Sequence, residues 1–399
     1  MDKKAYWIGL HQVPGLGPKR FQLLLDRFKH PKEVWHARES HLAEVMGKNS
    51  SVFKNLLECR QSLDLTAVCT ELERRGVTVL TLEDPAYPSS LRNIYDPPPV
   101  LYVLGSLEEV DSLALAMVGS RRATPYGKAV AERLAGQLAQ KGFTIVSGLA
   151  RGIDTAGHRG ALKAKGRTVA VLGCGVDIVY PRENKHLFEQ ITNNGAVISE
   201  FPLGSPPIPL NFPARNRIIS GLSLGVVVVE AAENGGALIT TDFALEQGRD
   251  VFAVPGPITS QYSRGTNNLI KEGARLVQGV EDIIEEYLSR FPTLLGNTPQ
   301  QVSWQSLEGL GEGNHRVSSK IEDTALNSEE KILLQLISLE PISIENLIAE
   351  SGLTPSRVNS ILMILEMKGL VNQLPGRCYI RQEKIIKGKG FTRRRFGIS

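Results

Sequence analysis

The chain has 399 residues, 42% hydrophobic and 22% charged, with a formal net charge of +4. That length exceeds one ordinary core and implies two or three domains, and so small a net charge leaves any nucleic-acid role to local charge rather than to the total. The four cysteines (Cys59, Cys69, Cys174, Cys378) show no CxxC spacing, which argues against structural zinc and for a reducing compartment. MDKKAYWIGLHQV is not a signal peptide and no apolar run reaches membrane-spanning length, so a cytoplasmic protein without a membrane partner is expected.

Residues 1–75 carry helical patterns and are expected to form a separate small module. Within VPGLGPKRFQLLLDRF, Gly15 and Gly17 suit a tight turn, and Pro18 starts a helix with Phe21, Leu24, Leu25 and Phe28 at helical spacing. This resembles a helix-hairpin-helix, which offers backbone N–H groups to a DNA phosphate without reading bases. An ordinary glycine turn between helices fits the same residues.

From Gly76 onward the pattern changes to strands alternating with helices. Two strands, 77–82 and 100–104, lead in; then come Leu113 to Val118, Thr144 to Val146, Thr168 to Leu172, Ala196 to Ser199, Val226 to Val229, Val251 to Val254 and Arg275 to Val277. Branched apolar runs bounded by glycine mark strands buried on both faces, as in parallel sheets. The fold class expected is α/β, a Rossmann-like doubly wound sheet over 76–286. In such a sheet the carboxyl ends of the strands share one rim, and ligands bind there. Four turns are expected to converge on it: Gly119-Ser120-Arg121, Ser147 to Asp154 with Arg151, Phe212 to Arg217 with Arg215 and Asn216, and Asn234-Gly235-Gly236. Glycines ahead of a helix bring free N–H groups to an anion, and arginine adds fixed charge. Ser147, Asp154 and His158 suggest a hydrolase trio, but they lie in one strand-turn-helix without a G-x-S-x-G elbow. Hydrogen bonding within the turn is the plainer role.

Residues 287–327 lose periodicity and become rich in Gly, Ser, Asn and Gln, as a linker does. Three short helices (328–337, 343–350, 355–368) and a hairpin through Pro375-Gly376 then make a winged helix over 328–382. Its third helix carries only Arg357 and Lys368 as basic residues, few for a helix that reads DNA. A tail over 383–399 follows, and residues 384–399 hold six Lys/Arg and no acid.

Taken together, MVGSRRATPYG, SGLARGIDTAGHRGAL, VLGCGVDIVYP, FPARNRIISGLS and ITTDFALEQGRDVFAVPG, with the G-x-N-x-L-I-x-x-G-A run at 265–274, resemble the DNA-processing protein A family, also called Smf. The resemblance is dense over 76–285. It implies a non-enzymatic protein that shields single-stranded DNA during natural transformation and loads RecA recombinase onto it, as a homodimer, with no cofactor and no metal. The family's DNA pocket maps onto Gly119, Ser120, Arg121, Phe212, Arg215, Asn216 and Arg217. Phe212 would stack on a base while the arginines take phosphates. Where family members commonly have a basic residue and then Ser-Gly, this chain has Asn234-Gly235-Gly236, so a charge and a hydroxyl are missing. Two other readings stand beside this one. A nucleoside-monophosphate phosphoribohydrolase would use a glycine turn with a downstream glutamate such as Glu246, though the P-G-G-x-G-T-x-x-E pattern is absent. A regulator would bind DNA through the winged helix.

Overall fold

The computed structural model describes residues 3–291, 328–338, 342–368, 370–374 and 378–381. The chain divides into two compact units, residues 1–301 and 302–399. Most of the expected linker and all of the expected basic tail lie outside the described residues.

The first unit opens with six helices: α1 (Lys3–His11), α2 (Pro18–Phe28), α3 (Pro31–His36), α4 (Glu39–Met46), α5 (Ser51–Ser62) and α6 (Leu65–Arg74). Their starts follow local chemistry. Pro18 and Pro31 occupy first turns, where no N–H partner is lost, and the Asp64 carboxylate accepts from the N–H groups of Thr66 and Ala67. The α1–α2 hairpin turns at Gly15, whose φ of 80° suits glycine, and Arg20 donates to the Gly15 carbonyl at 3.1 Å. A separate module was expected here, but the helices share a core with the sheet. Trp7, Leu10, Phe21 and Leu56 cluster with Val79, Val100 and Tyr102 of the first two strands. The edge strands thereby cover an apolar face that would otherwise be wet.

The sheet and its helices follow as β1 (Thr78–Thr81), α7 (Ser89–Arg92), β2 (Val100–Gly105), β3 (Ala114–Val118), α8 (Pro125–Gln140), β4 (Thr144–Ser147), α9 (Ile153–Lys163), β5 (Thr168–Leu172), α10 (Lys185–Asn193), β6 (Gly195–Ser199), α11 (Asn211–Leu222), β7 (Gly225–Val228), α12 (Leu238–Glu246), β8 (Asp250–Ala253), α13 (Arg264–Lys271), β9 (Arg275–Leu276) and α14 (Glu281–Leu288). The nine strands lie in the order β1-β2-β6-β5-β4-β3-β7-β8-β9. β1–β2 and β2–β6 are antiparallel, and every other pair is parallel. β3 shows why its sequence is apolar throughout. Leu115 and Met117 join Leu134, Leu138 and Ile153 on one face, while Ala114, Ala116 and Val118 join Ile218, Ile219 and Leu222 on the other. Each such fully buried Val, Leu or Ile is worth roughly 1.5–3 kcal/mol. From β3 the chain winds outward through β4, β5 and β6, then returns to β7 on the opposite side of β3. The loops after β3 and β7 therefore part in opposite directions and leave a crevice between them.

The second unit comprises α15 (Ser328–Leu336), β10 (Ile342–Ser343), α16 (Ile344–Ser351), α17 (Pro355–Met367), β11 (Val371–Leu374) and β12 (Cys378–Arg381), with strand order β10-β12-β11. The expected winged helix is present. A third strand, β10, completes its sheet, and at two residues it is too short to show a period of its own. Leu333, Leu347, Ile361, Leu365 and Val371 form the core.

Candidate nucleic-acid interface

The crevice beside β3 and β7 opens into a cleft of about 710 Å³ lined by Val118 to Arg122, Phe212, Arg215, Asn216, Gly235 and Gly236, among others. It is built by backbones packed closer than side chains would allow. At Gly119 a Cβ would sit 2.6 Å from Ile153 and 2.8 Å from the Glu230 carbonyl. Gly152 has φ 78°, and a Cβ there would run into the Ser120 carbonyl, which accepts from the Ile153 N–H. The turns after β3 and β4 are thus locked against each other. Ser120 fixes its own turn: its N–H donates to the Glu230 carbonyl at 2.7 Å and its hydroxyl accepts from the Arg122 N–H at 3.1 Å.

The carboxylates around the cleft are committed. Glu230 is buried and accepts from the N–H and hydroxyl of Thr124, the residue that caps α8, at 2.9 and 2.5 Å. Asp154 accepts from the N–H groups of Gly148 and Ala150 at 3.1 and 3.3 Å, so the anion-binding nest after β4 already holds an internal carboxylate. Burial pushes the Asp154 carboxyl up, and the guanidinium of Arg215 pulls it back. The trio that suggested a hydrolase is dispersed: the Ser147 hydroxyl donates to the Met117 carbonyl, and His158 Nδ1 lies 2.7 Å from the Thr168 hydroxyl. Because that hydroxyl donates to the Ile145 carbonyl, His158 is the donor to it and its Nδ1 carries the proton. Burial lowers the His158 pKa to about 3, so the ring is neutral. Glu246 is exposed at the end of α12 and is not part of the cleft lining.

The arginines divide sharply. Phe212 to Arg217 was expected as a turn, but these residues belong to α11. Arg215 and Arg217 are therefore about 200° apart around one helix. Arg215 faces the cleft floor, buried under Gly148, with Nη1 donating to the Val171 carbonyl and Nε unpartnered. Burial lowers its pKa to about 10, which leaves it charged. Arg217 points away, 3.1 Å from Asp96 and 2.5 Å from Glu200, and is absent from the cleft. The phosphate-facing position expected of it is thus corrected: helical periodicity turns it into the protein. Arg121 and Arg122 are exposed and, among the described residues, have no carboxylate within ion-pair distance. Arg121 lies over the Phe212 ring, 5.2 Å from its centre. Arg151 lines a smaller adjoining cavity of about 240 Å³, and its guanidinium pairs with Glu183.

The turn after β7 is partly as expected. Asn216 reaches it through a 3.5 Å contact from Nδ2 to the Gly236 carbonyl. Gly235 donates to Ala232, while Gly236 and Ala237 line the cleft and their N–H groups have no partner among the described hydrogen bonds. They stand at the amino end of α12, which favours anions. Asn234 is exposed and does not line the cleft. Two contributors escaped the sequence reading, Arg122 and Tyr180. Arg122 directly follows Arg121, and Tyr180 closes the motif VLGCGVDIVYP ahead of a proline. Either could be found as a long polar or aromatic side chain in a loop beyond a strand's carboxyl end. Among the described residues no group of three or more His, Cys, Asp or Glu could hold a metal, and no helix is long and apolar enough to cross a membrane.

A family model described as DNA recombination-mediator protein A matches residues 78–288, and one for the DprA winged helix domain matches 321–377. Protein Smf of Synechocystis sp. is 36% identical over 398 residues, covering 96% of this chain and 99% of that protein. DNA processing protein DprA of Streptococcus pneumoniae is 46% identical over 247 residues, 62% of this chain and 86% of that one. The X-ray structure of DNA processing protein A from Streptococcus pneumoniae superposes with a TM-score of 0.64 at 36% identity, covering 71% of this chain and 97% of the other. A match over more than half the sequence, together with a relative aligned along nearly its full length, means that the chain belongs to the DNA recombination-mediator protein A family, the DprA/Smf proteins.

Proposed function

We propose that the protein binds single-stranded DNA in the β3–β7 cleft, shields it, and passes it to RecA recombinase during natural transformation, acting without catalysis, in the cytoplasm, as a homodimer. The observation that carries this reading is the cleft rim itself. Two exposed arginines, without acidic partners among the described residues, stand beside an aromatic pair, Tyr180 and Phe212, and beside N–H groups at the start of α12 that have no partner among those residues. Cations for phosphates and rings for bases are what a sequence-tolerant single-strand site needs. The roles of Gly119, Ser120, Gly235 and Gly236 in this reading are to hold backbone close to the strand, and that of Arg215 is to charge the floor. The commitment of Glu230 to Thr124, the place of Glu246 outside the lining and the hydrogen bonds that hold Asp154, which does line the cleft, to the Gly148 and Ala150 N–H groups support the absence of turnover, since among the described residues no lining carboxylate is left uncommitted.

Binding of labelled single-stranded and blunt duplex oligonucleotides across a salt series tests the reading. Single strands should bind more tightly, with log affinity falling linearly in log salt. Equal affinity for the duplex overturns it. Faster RecA filament growth on strands already carrying the protein would support the hand-over.

A further inference from the structure

We propose that the groove between α2 and the loop joining α7 to β2 is a docking site for a partner protein, and that it seats an apolar side chain carried beside a carboxylate. The groove holds about 460 Å³ and shares no lining residue with the β3–β7 cleft. Its walls are largely apolar: Phe21 and Leu23 come from α2, Leu82 follows β1, and Tyr95, Pro97 and Pro99 come from the loop. Leu23 is 56% exposed and Tyr95 87% exposed. Two large apolar side chains in water beside one hollow, with polar residues among its lining, have the character of a contact patch. Tyr95 cannot fold away. Ile94 before it is buried with Leu91 and Ile219, and Asp96 after it lies 3.1 Å from Arg217. The prolines beyond are tied as well, since the Tyr87 hydroxyl donates to the Pro98 carbonyl at 2.8 Å and the Leu82 N–H to the Pro99 carbonyl at 3.3 Å. An aromatic held out by anchors on both sides can dock at little cost in ordering.

The charges decide what docks. Asp96 is spent on Arg217, and the exposed Asp26 carboxylate accepts from Gln22 at 2.9 Å. Lys19 has no carboxylate within ion-pair distance among the described residues, and its ammonium lies 5.1 Å from the centre of the Tyr95 ring. It also stands in the first turn of α2, where the helix dipole favours an anion. Asp26 follows two turns later, about 10 Å along the helix. The groove is thus positive at one end, negative at the other and apolar between. A carboxylate belongs at the Lys19 end, with its apolar neighbour against Leu23 and Tyr95. A nucleic-acid strand fits poorly, because the lining sets one cation against two carboxylates and phosphates repeat along the whole strand. Docking here leaves the cleft open, so the inference stands whether or not the cleft binds DNA.

The test selects a phage-displayed library of random dodecapeptides on the full chain. Enriched peptides should share an aromatic or branched apolar residue next to Asp or Glu. As synthetic peptides they should bind Tyr95→Ala more than tenfold more weakly than the parent. Lys19→Gln should weaken them about two- to fivefold, and should bind the Asp and Asn forms of one peptide equally. Both side chains are exposed, so the variants should melt as the parent does. A selection that enriches nothing, or peptides that bind Tyr95→Ala as tightly as the parent, overturns the proposal. Enriched peptides that are basic, without an acid, overturn the assigned chemistry. Loss of oligonucleotide affinity in Tyr95→Ala would make the groove a nucleic-acid site, and a changed sedimentation coefficient in that variant would make its occupant a second copy of the chain; either result overturns the partner-protein assignment.

Discussion

The turn after β3 and the third helix of the winged helix each offer two basic side chains, and the two regions treat them in opposite ways. At the rim, Arg121 and Arg122 are exposed and, among the described residues, no carboxylate pairs with either. In the winged helix, Arg357 lies 2.7 Å from Glu329 and Lys368 2.8 Å from Glu330, both acids supplied by α15. A count of cations in the sequence ranks the two regions as equals. Among the described residues, a strand of DNA would meet two free charges at the first and two neutralised pairs at the second. What separates them is where the nearest acids fall once the chain has folded, a property that motif spacing does not carry.

The largest effect expected is on stability and concerns the arginine that left the rim. Removing Arg217 strands Glu200 and Asp96; Glu200 is buried and already pushed up by its surroundings, with only Arg217 pulling it down strongly. Breaking such a buried pair costs about 3–5 kcal/mol. Arg217→Ala should therefore lower the melting temperature markedly, whereas Arg121→Ala should leave it nearly unchanged. Equal melting of the two variants would return Arg217 to the surface.

Affinity should separate the same residues in the other direction. Arg121→Ala should weaken single-strand binding by tenfold or more, because it removes a charge pre-organised by Phe212. Arg122→Ala should follow closely, and the double variant should flatten the salt dependence by about two counterions. Comparable losses in an Arg357→Ala protein would erase the contrast between the two regions. A protein truncated to residues 1–291 sharpens it further: binding should stay within a few-fold of the full chain, since α14 closes the first unit.

Acid should reveal the packing beneath the cleft. His158 is buried and His11 half-buried, with pKa values lowered from 6.5 to about 3 and about 4 by desolvation, and Arg215 adds to the effect at His158. The unfolded chain binds protons on these rings below about pH 6.5 and the folded chain does not, so the stability they confer is complete above that value. It is lost progressively as pH falls toward 4. A plot of melting temperature against pH should slope upward across this window, and His158→Gln should make the slope shallower. An unchanged slope would mean that the ring is not the buried neutral group described.

Much of this was legible in the sequence. The strands of the sheet follow from unbroken branched apolar runs, and their carboxyl ends follow from the glycines after them; Thr168 to Leu172 is a strand to the residue. The cleft was legible as a place, because Gly119, Gly235 and Gly236 sit where the topology requires backbone to approach backbone. The lining of the cleft was legible only in part. FPARNR reads as a basic cluster, but a helix separates Arg215 from Arg217, and no local pattern in those six residues announces that a helix begins at Asn211. Arg122 was hidden for a different reason: what sets it apart is that no carboxylate pairs with it among the described residues, and that is visible only once its neighbours have been placed. The shared core of α1–α6 with β1 and β2 was hidden likewise, since a helical stretch gives no sign of what its apolar face will cover.

The smallest effect expected is at Arg357, and its smallness is the point. An exposed ion pair of this kind is worth about 0–1 kcal/mol, so Arg357→Ala should change neither melting nor single-strand affinity by more than a factor of two. The more telling variant removes the acid and keeps the base. Glu329→Gln releases the Arg357 guanidinium without altering the bulk of α15, and the freed charge, 55% exposed, becomes available to a phosphate. If neutralisation by α15 is what silences this helix, duplex affinity of the Glu329→Gln protein should rise modestly, with a steeper salt dependence than the parent shows. If duplex affinity is already strong in the parent and falls in Arg357→Ala, then α17 binds DNA through a charge that Glu329 does not hold, and the contrast between the two regions fails at its weaker end.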